Sequence, residues 1–134
     1  MTTTPSKNIL IIDNDLALAF ELSRKVKELG HAARFTNNSS EGFKLAYELA
    51  PDVIFLRFDM PGLDGYTVAR ILRSEPRFAA TLLVAMSEQL STVDERRIRL
   101  AGFDAVLYVP VDGPELEPIL RRELVGEFEP FRRI

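Results

Sequence analysis

The segment PDVIFLRFDMPGLDGYTVARILR, residues 51–73, carries three structural signals in succession. Asp52 to Leu56 is a short, mostly apolar run of the kind that a strand buried on both faces requires. Asp59-Met60-Pro61-Gly62-Leu63 reads as a loop, because adjacent proline and glycine interrupt helix and strand patterns alike. From about Asp64 to Arg73, Val68, Ile71 and Leu72 recur at three- and four-residue steps, the period of an amphipathic helix, and Pro76 closes the region. A buried strand, a tight loop and a helix make one βα unit, the building block of parallel sheets.

The same rhythm extends in both directions. Asn8 to Ile12 is a nearly continuous apolar strand that ends in Asp13-Asn14-Asp15. A helix follows, with Leu16, Ala19, Phe20, Ser23, Val26 and Leu29 on one stripe and Gly30 where a left-handed C-terminal cap belongs. Ala32 to Thr36 is a weaker strand. Asn38 and Glu41 form a capping pair for a helix carrying Phe43, Ala46, Tyr47 and Leu49. Thr81 to Met86 is the fourth strand, and Ser91 and Asp94 start a charged helix whose inner face is Val93, Ile98 and Ala101. Ala105 to Val109 is the fifth strand. Asp112-Gly113-Pro114 opens the last helix, which has Leu116, Ile119, Leu120 and Leu124 as its stripe. Pro118 sits awkwardly in that helix, since it removes one backbone hydrogen bond. Five βα units predict an α/β protein: a flavodoxin-like, doubly wound, five-stranded parallel sheet of order 2-1-3-4-5 with five helices, in three α/β/α layers. The expected organisation is a flexible N-terminus over 1–7, one domain over 8–124 and a C-terminal tail over 125–134.

Composition narrows the function. The chain has 134 residues, 46% hydrophobic and 28% charged, which suits one globular unit. With 17 basic and 20 acidic residues the net charge is -3, so no general attraction to nucleic acid or anionic membrane follows. The absence of cysteine excludes disulfides, thiolate metal sites and thiol catalysis, and His31, the one histidine, cannot build an imidazole cluster. No apolar run approaches the ~20 residues of a membrane span, and MTTTPSK has no secretory core, so a cytoplasmic location is the default and membrane insertion is not expected. No Walker-type or GxGxxG run supports nucleotide binding, and no cofactor is implied.

In a doubly wound sheet, ligands sit beyond the carboxyl ends of the strands, here Asp13 to Asp15, Arg57 to Asp59, Ser87 and Val109 to Pro110. The segments ILIIDND, PDVIFLRFDMPGLDGYTVARILR, LLVAMSE and AGFDAVLYVPVDGPEL make the chain resemble the receiver domain of bacterial two-component response regulators, over roughly residues 7–124. The resemblance implies an aspartate phosphoacceptor after strand three, an acidic pair after strand one that holds Mg²⁺, a Ser or Thr after strand four and a Lys after strand five. Here the acceptor position, four residues before Pro61, is Arg57, whose guanidinium has no lone pair with which to form an acyl phosphate. The lysine position before Pro110 is Val109, the second acid is Asn14, and the aromatic switch position is Val106. Asp13 and Ser87 fit their places, and Asp13 is the one weak candidate for a metal ligand.

These departures describe a degenerate receiver, or pseudo-receiver. Arg57 would project among Asp13, Asp15 and Asp59, and a permanent cation there could stand in for metal and lysine together. One such pair at 4 Å and an effective dielectric of about 20 is worth roughly 4 kcal/mol before desolvation. The expectation is that Arg57 pairs with Asp13 and fixes the pocket in one state.

Plainer readings stand beside these. Asp13 to Asp15 could be a helix cap, Ser87 a turn residue, Arg57 a surface side chain, and His31 a solvated loop residue. The charges of helix four, Arg96, Arg97 and Arg99 with Asp94 and Glu95, are explained by solvation alone. The expected function is a phosphorylation-independent interaction module in a phosphorelay-type pathway, not an enzyme. Its partners would be proteins, including a second copy bound through helix four, strand five and helix five or through the tail with Phe128, Phe131 and Ile134, and direct nucleic acid binding is not expected. Two alternatives remain: a haloacid-dehalogenase-like phosphatase using Asp13 and Asp15, and a conventional regulator phosphorylated on Asp59.

Overall fold

The computed structural model describes residues 6–58, 64–88, 92–111, 113–121 and 132–133. Its elements are β1 (Asn8–Ile12), α1 (Leu16–Glu28), β2 (Ala32–Thr36), α2 (Ser39–Leu49), β3 (Val53–Arg57), α3 (Gly65–Ser74), a 3-10 turn (Pro76–Phe78), β4 (Leu82–Ser87), α4 (Thr92–Leu100), β5 (Ala105–Tyr108) and α5 (Gly113–Arg121). The strands are parallel in the order β2-β1-β3-β4-β5, as the βα rhythm predicts. A short sixth strand, β6 (Arg132–Arg133), adds to the outer edge of β5 opposite Ala105 and Val106. Two residues are too few to show a strand pattern, and β6 lies inside what the sequence marks as the tail.

Alternation along the strands divides the core. Leu10, Ile12, Ile54 and Leu56 face α2, α3 and α4, whereas Ile9, Ile11, Val53 and Phe55 face α1 and α5. The first turns of α1, α2 and α3 are closed by side chains that accept from a backbone N–H: Asp15 from Leu18 at 3.1 Å, Asn38 from Glu41 at 2.9 Å and Asp64 from Tyr66 at 2.7 Å. Gly30, with φ +96°, ends α1 in the left-handed conformation expected of it.

Several details differ from the periodicity reading. The buried stripe of α1 is Ala19, Leu22, Ser23 and Val26, while Leu16 and Phe20 are about half exposed. Both stripes have helical spacing, and only the angle at which α1 packs on the sheet chooses between them; Phe20 instead meets the edge of the Phe35 ring at 6.1 Å. In α3, Ile71 turns outward and Tyr66 and Ala69 are buried in its place. Tyr47 of α2 is likewise exposed, and its ring rests against Phe78. β3 begins and ends one residue later than expected, which makes Arg57 its last residue. α5 tolerates Pro118 and buries Leu116, Ile119 and Leu120. Ser91, Asp112, Leu124, the aromatic tail residues and the side chain of Val93 lie outside the described residues.

At the amino ends of the strands, Arg73 joins four segments. Its Nε donates to the Gly102 carbonyl at 2.9 Å, and its Nη1 to the Phe78 and Thr81 carbonyls, both at 3.1 Å. Its Nη2 lies 2.7 Å from Asp104 Oδ2, which also accepts the Leu83 N–H.

His31 is not the solvated loop residue expected from its place after Gly30. It is 7% exposed, and its Nδ1 accepts the Lys7 N–H at 3.0 Å, which ties the start of β1 to the start of β2. Burial, then the Lys7 charge, lowers its pKa from the ordinary 6.5, against weaker opposing pulls from Glu117 and Asp52. The unfolded chain therefore takes up a proton first as pH falls, so the His31 contribution is complete above about pH 6.5 and declines below it. Accordingly, the advantage of the unaltered chain over His31→Gln in urea midpoint should shrink between pH 7.5 and pH 5; a constant difference would refute this.

Candidate functional site

The site follows from strand register. β1 and β3 are neighbours with Ile12 opposite Leu56, so one step further on Asp13 stands opposite Arg57. Both continue the odd-numbered face that Ile9, Ile11, Val53 and Phe55 turn toward α1 and α5. The expected ion pair is formed: Arg57 Nη2 and Nε lie 3.2 and 3.3 Å from Asp13 Oδ2. The other oxygen, Oδ1, accepts the Asp15 N–H at 2.9 Å. Asp13 and Arg57 are 1% and 7% exposed, so the pair is shielded from water.

Both guanidinium donors converge on one oxygen, at distances longer than the roughly 2.7–2.9 Å of strong charge-assisted bonds. Burial, the strongest influence on the Asp13 carboxyl, pushes its pKa above the ordinary 3.8; the Asp15 N–H and then Arg57 draw it down without cancelling that rise. Desolvation of the buried carboxylate thus works against the attraction between the two charges.

The remaining predicted residues take separate places. Val109 and Pro110 border, with Asp13 and Met86, a cavity of about 30 Å³, room for about two waters. The Val109–Pro110 peptide is cis. Ser87 is buried at the end of β4, one residue beyond Met86, the register partner of Arg57, and its carbonyl accepts the Val109 N–H at 2.9 Å. Asn14 is exposed, and Asp15 caps α1. Asp59 lies outside the described residues. Sequence reasoning missed Lys25, whose Nζ donates to the Val111 carbonyl and ties α1 to the segment after β5. In the sequence it looks like any lysine on a helix surface.

Against known proteins, the profile described as the response regulator receiver domain matches residues 9–121. The chain belongs to the receiver family. It is 29% identical over 117 residues to the transcriptional regulatory protein AfsQ1 of Streptomyces coelicolor, covering 87% of this chain and 51% of that protein. With PilH of Pseudomonas aeruginosa it shares 26% identity over 118 residues, 88% of this chain and 98% of PilH. The crystal structure of the chemotaxis response regulator CheY4 of Vibrio cholerae superposes with a TM-score of 0.80 at 18% identity, covering 88% of this chain and 98% of that one, which bears on the fold alone. The chain spans about half the length of AfsQ1. Receiver domains are signalling modules of two-component systems and act through protein partners.

The receiver chemistry does not fit the residues present. A divalent cation such as Mg²⁺ needs several free oxygen ligands in octahedral array. One Asp13 oxygen is covered by a guanidinium and the other by a backbone N–H, while a cation already occupies residue 57. Among the described residues no cluster of three or more His, Cys, Asp or Glu side chains could hold a metal. Nor is any helix among them long and apolar enough to cross a membrane.

Breaking the pair from one side should cost more than removing both charges. Asp13→Asn strands the Arg57 charge and should lower stability by about 3–5 kcal/mol, whereas Asp13→Asn with Arg57→Met should fall well short of the sum of the two single losses. Urea unfolding at pH 7 measures the cycle, and strict additivity would contradict a direct interaction.

Proposed function

We propose that this receiver-family chain works as a protein-interaction module whose conformation is set without phosphoryl transfer at residue 57. The observation that carries the reading is the buried Arg57 guanidinium on Asp13, at the carboxyl ends of two adjacent central strands. A guanidinium is neither nucleophile nor acceptor. The neutralising lysine is also absent, since Val109 stands in its place with an apolar side chain. With a permanent cation where a phosphoryl group would be carried, the pocket offers no phosphorylation-dependent charge, so a partner would recognise shape and not charge history. A homodimer through α4, β5 and α5 or through the tail is consistent with this reading, and β6 lies along the same edge of the sheet. Family membership lends nothing to the phosphatase alternative, and Asp15, one of its two proposed carboxylates, is engaged as the α1 cap.

Incubation of the full chain with acetyl phosphate and Mg²⁺ should leave its mass unchanged, and beryllofluoride with Mg²⁺ should leave its amide NMR spectrum unchanged. A stoichiometric phosphoryl adduct on Asp59, Asp13 or any other aspartate would overturn the reading.

A further inference from the structure

The sheet has two edges, and the chain guards them by different means. At one edge the outer strand is β2, where Arg34 is exposed, a charge of the kind that discourages strand addition. Toward the other edge β5 reads Ala105-Val106-Leu107-Tyr108, four uncharged residues of which the first three are buried. An apolar strand with unpaired backbone groups along one side is a template for another strand. Here β6 covers it, with Ala105 opposite Arg132 and Val106 opposite Arg133 in parallel register. On the inner side, the Asp104 N–H donates to the Leu83 carbonyl at 2.7 Å, so by alternation the backbone groups of Ala105 and Leu107 turn outward. The register then sets the Arg133 N–H against the Ala105 carbonyl.

Ten residues, 122–131, separate α5 from β6. A connection of that length spans up to about 33 Å when extended. Such a tether gives a segment an effective concentration on the order of millimolar at its own target. Two paired residues make a weak strand by themselves, so the tether is what keeps β6 seated against a second copy at micromolar concentration.

We propose that residues 132–133 are an intramolecular cap on a self-association surface. Seated, they exclude a second copy of this chain from β5; withdrawn, they leave the β5 edges of two copies free to pair. Two copies about a two-fold axis would join those edges antiparallel, through backbone groups. This contact differs from an association of helical faces, and nothing in it depends on the charge at residue 57.

The experiment compares the full chain with Arg133→Pro, which removes the N–H set against Ala105, and with Arg133→Ala, which keeps that N–H and removes the charge. Hydrogen exchange of β5 is read by mass spectrometry, and association by sedimentation, at about 2 µM and about 200 µM, both below the effective concentration of the tether. At the lower concentration β5 of Arg133→Pro should exchange roughly three- to tenfold faster than β5 of the unaltered chain, the loss of one backbone hydrogen bond. At the higher concentration the sedimenting mass of Arg133→Pro should be twice that of the unaltered chain, and protection of β5 should return. Arg133→Ala should match the unaltered chain at both. The proposal is refuted by β5 exchange that proline leaves unchanged, by a proline variant that does not associate, by association that leaves β5 unprotected, or by an alanine variant that behaves like the proline one.

Discussion

The parallel register of β1 against β3 is the constraint from which the site follows. Once Ile12 lies opposite Leu56, the next residues of both strands must be neighbours on the same face, and the chain has placed an acid at one and a guanidinium at the other. Register in a doubly covered sheet is strongly specified, because a one-residue slip would turn each buried side chain to the opposite layer. The ion pair therefore does not need to select the register. It occupies a place that the apolar packing of Ile9 to Ile12 and Val53 to Leu56 has already fixed.

Burial raises the Asp13 pKa despite its cationic partner, so desolvation opposes the attraction within the pair, and the apolar layers supply the bulk of the cohesion. What the pair does control is the charge pattern at the carboxyl end of the sheet.

Much of this was legible in the sequence, for identifiable reasons. β1 and β2 are bounded by polar residues and turn signals, and their limits follow directly from the apolar runs. The Asn38 cap of α2 and the glycine after α1 announce themselves by residue type. The Arg57–Asp13 pair was also readable, because the unusual residue and one of its three candidate counter-ions occupy matching strand ends. Other features have no one-dimensional signature. Which of two helical stripes faces inward on α1 depends on packing angle, so Leu16 and Phe20 misled the eye. The burial of His31 depends on Lys7, 24 residues away, and Lys25 finds its carbonyl 86 residues away. β6 is too short to register as a pattern at all.

Arg73 gives the last consequence. Its planar fork closes the turn after α3, the start of β4 and the approach to β5 from a single side chain. An ammonium group could not span those partners, because its donors radiate from one nitrogen and do not extend along a rigid plane. The pole where the strands begin is therefore sealed independently of the pole where they end. One side chain thus staples the amino end of the sheet, and the connections that enter β4 and β5 must both come within reach of a single guanidinium.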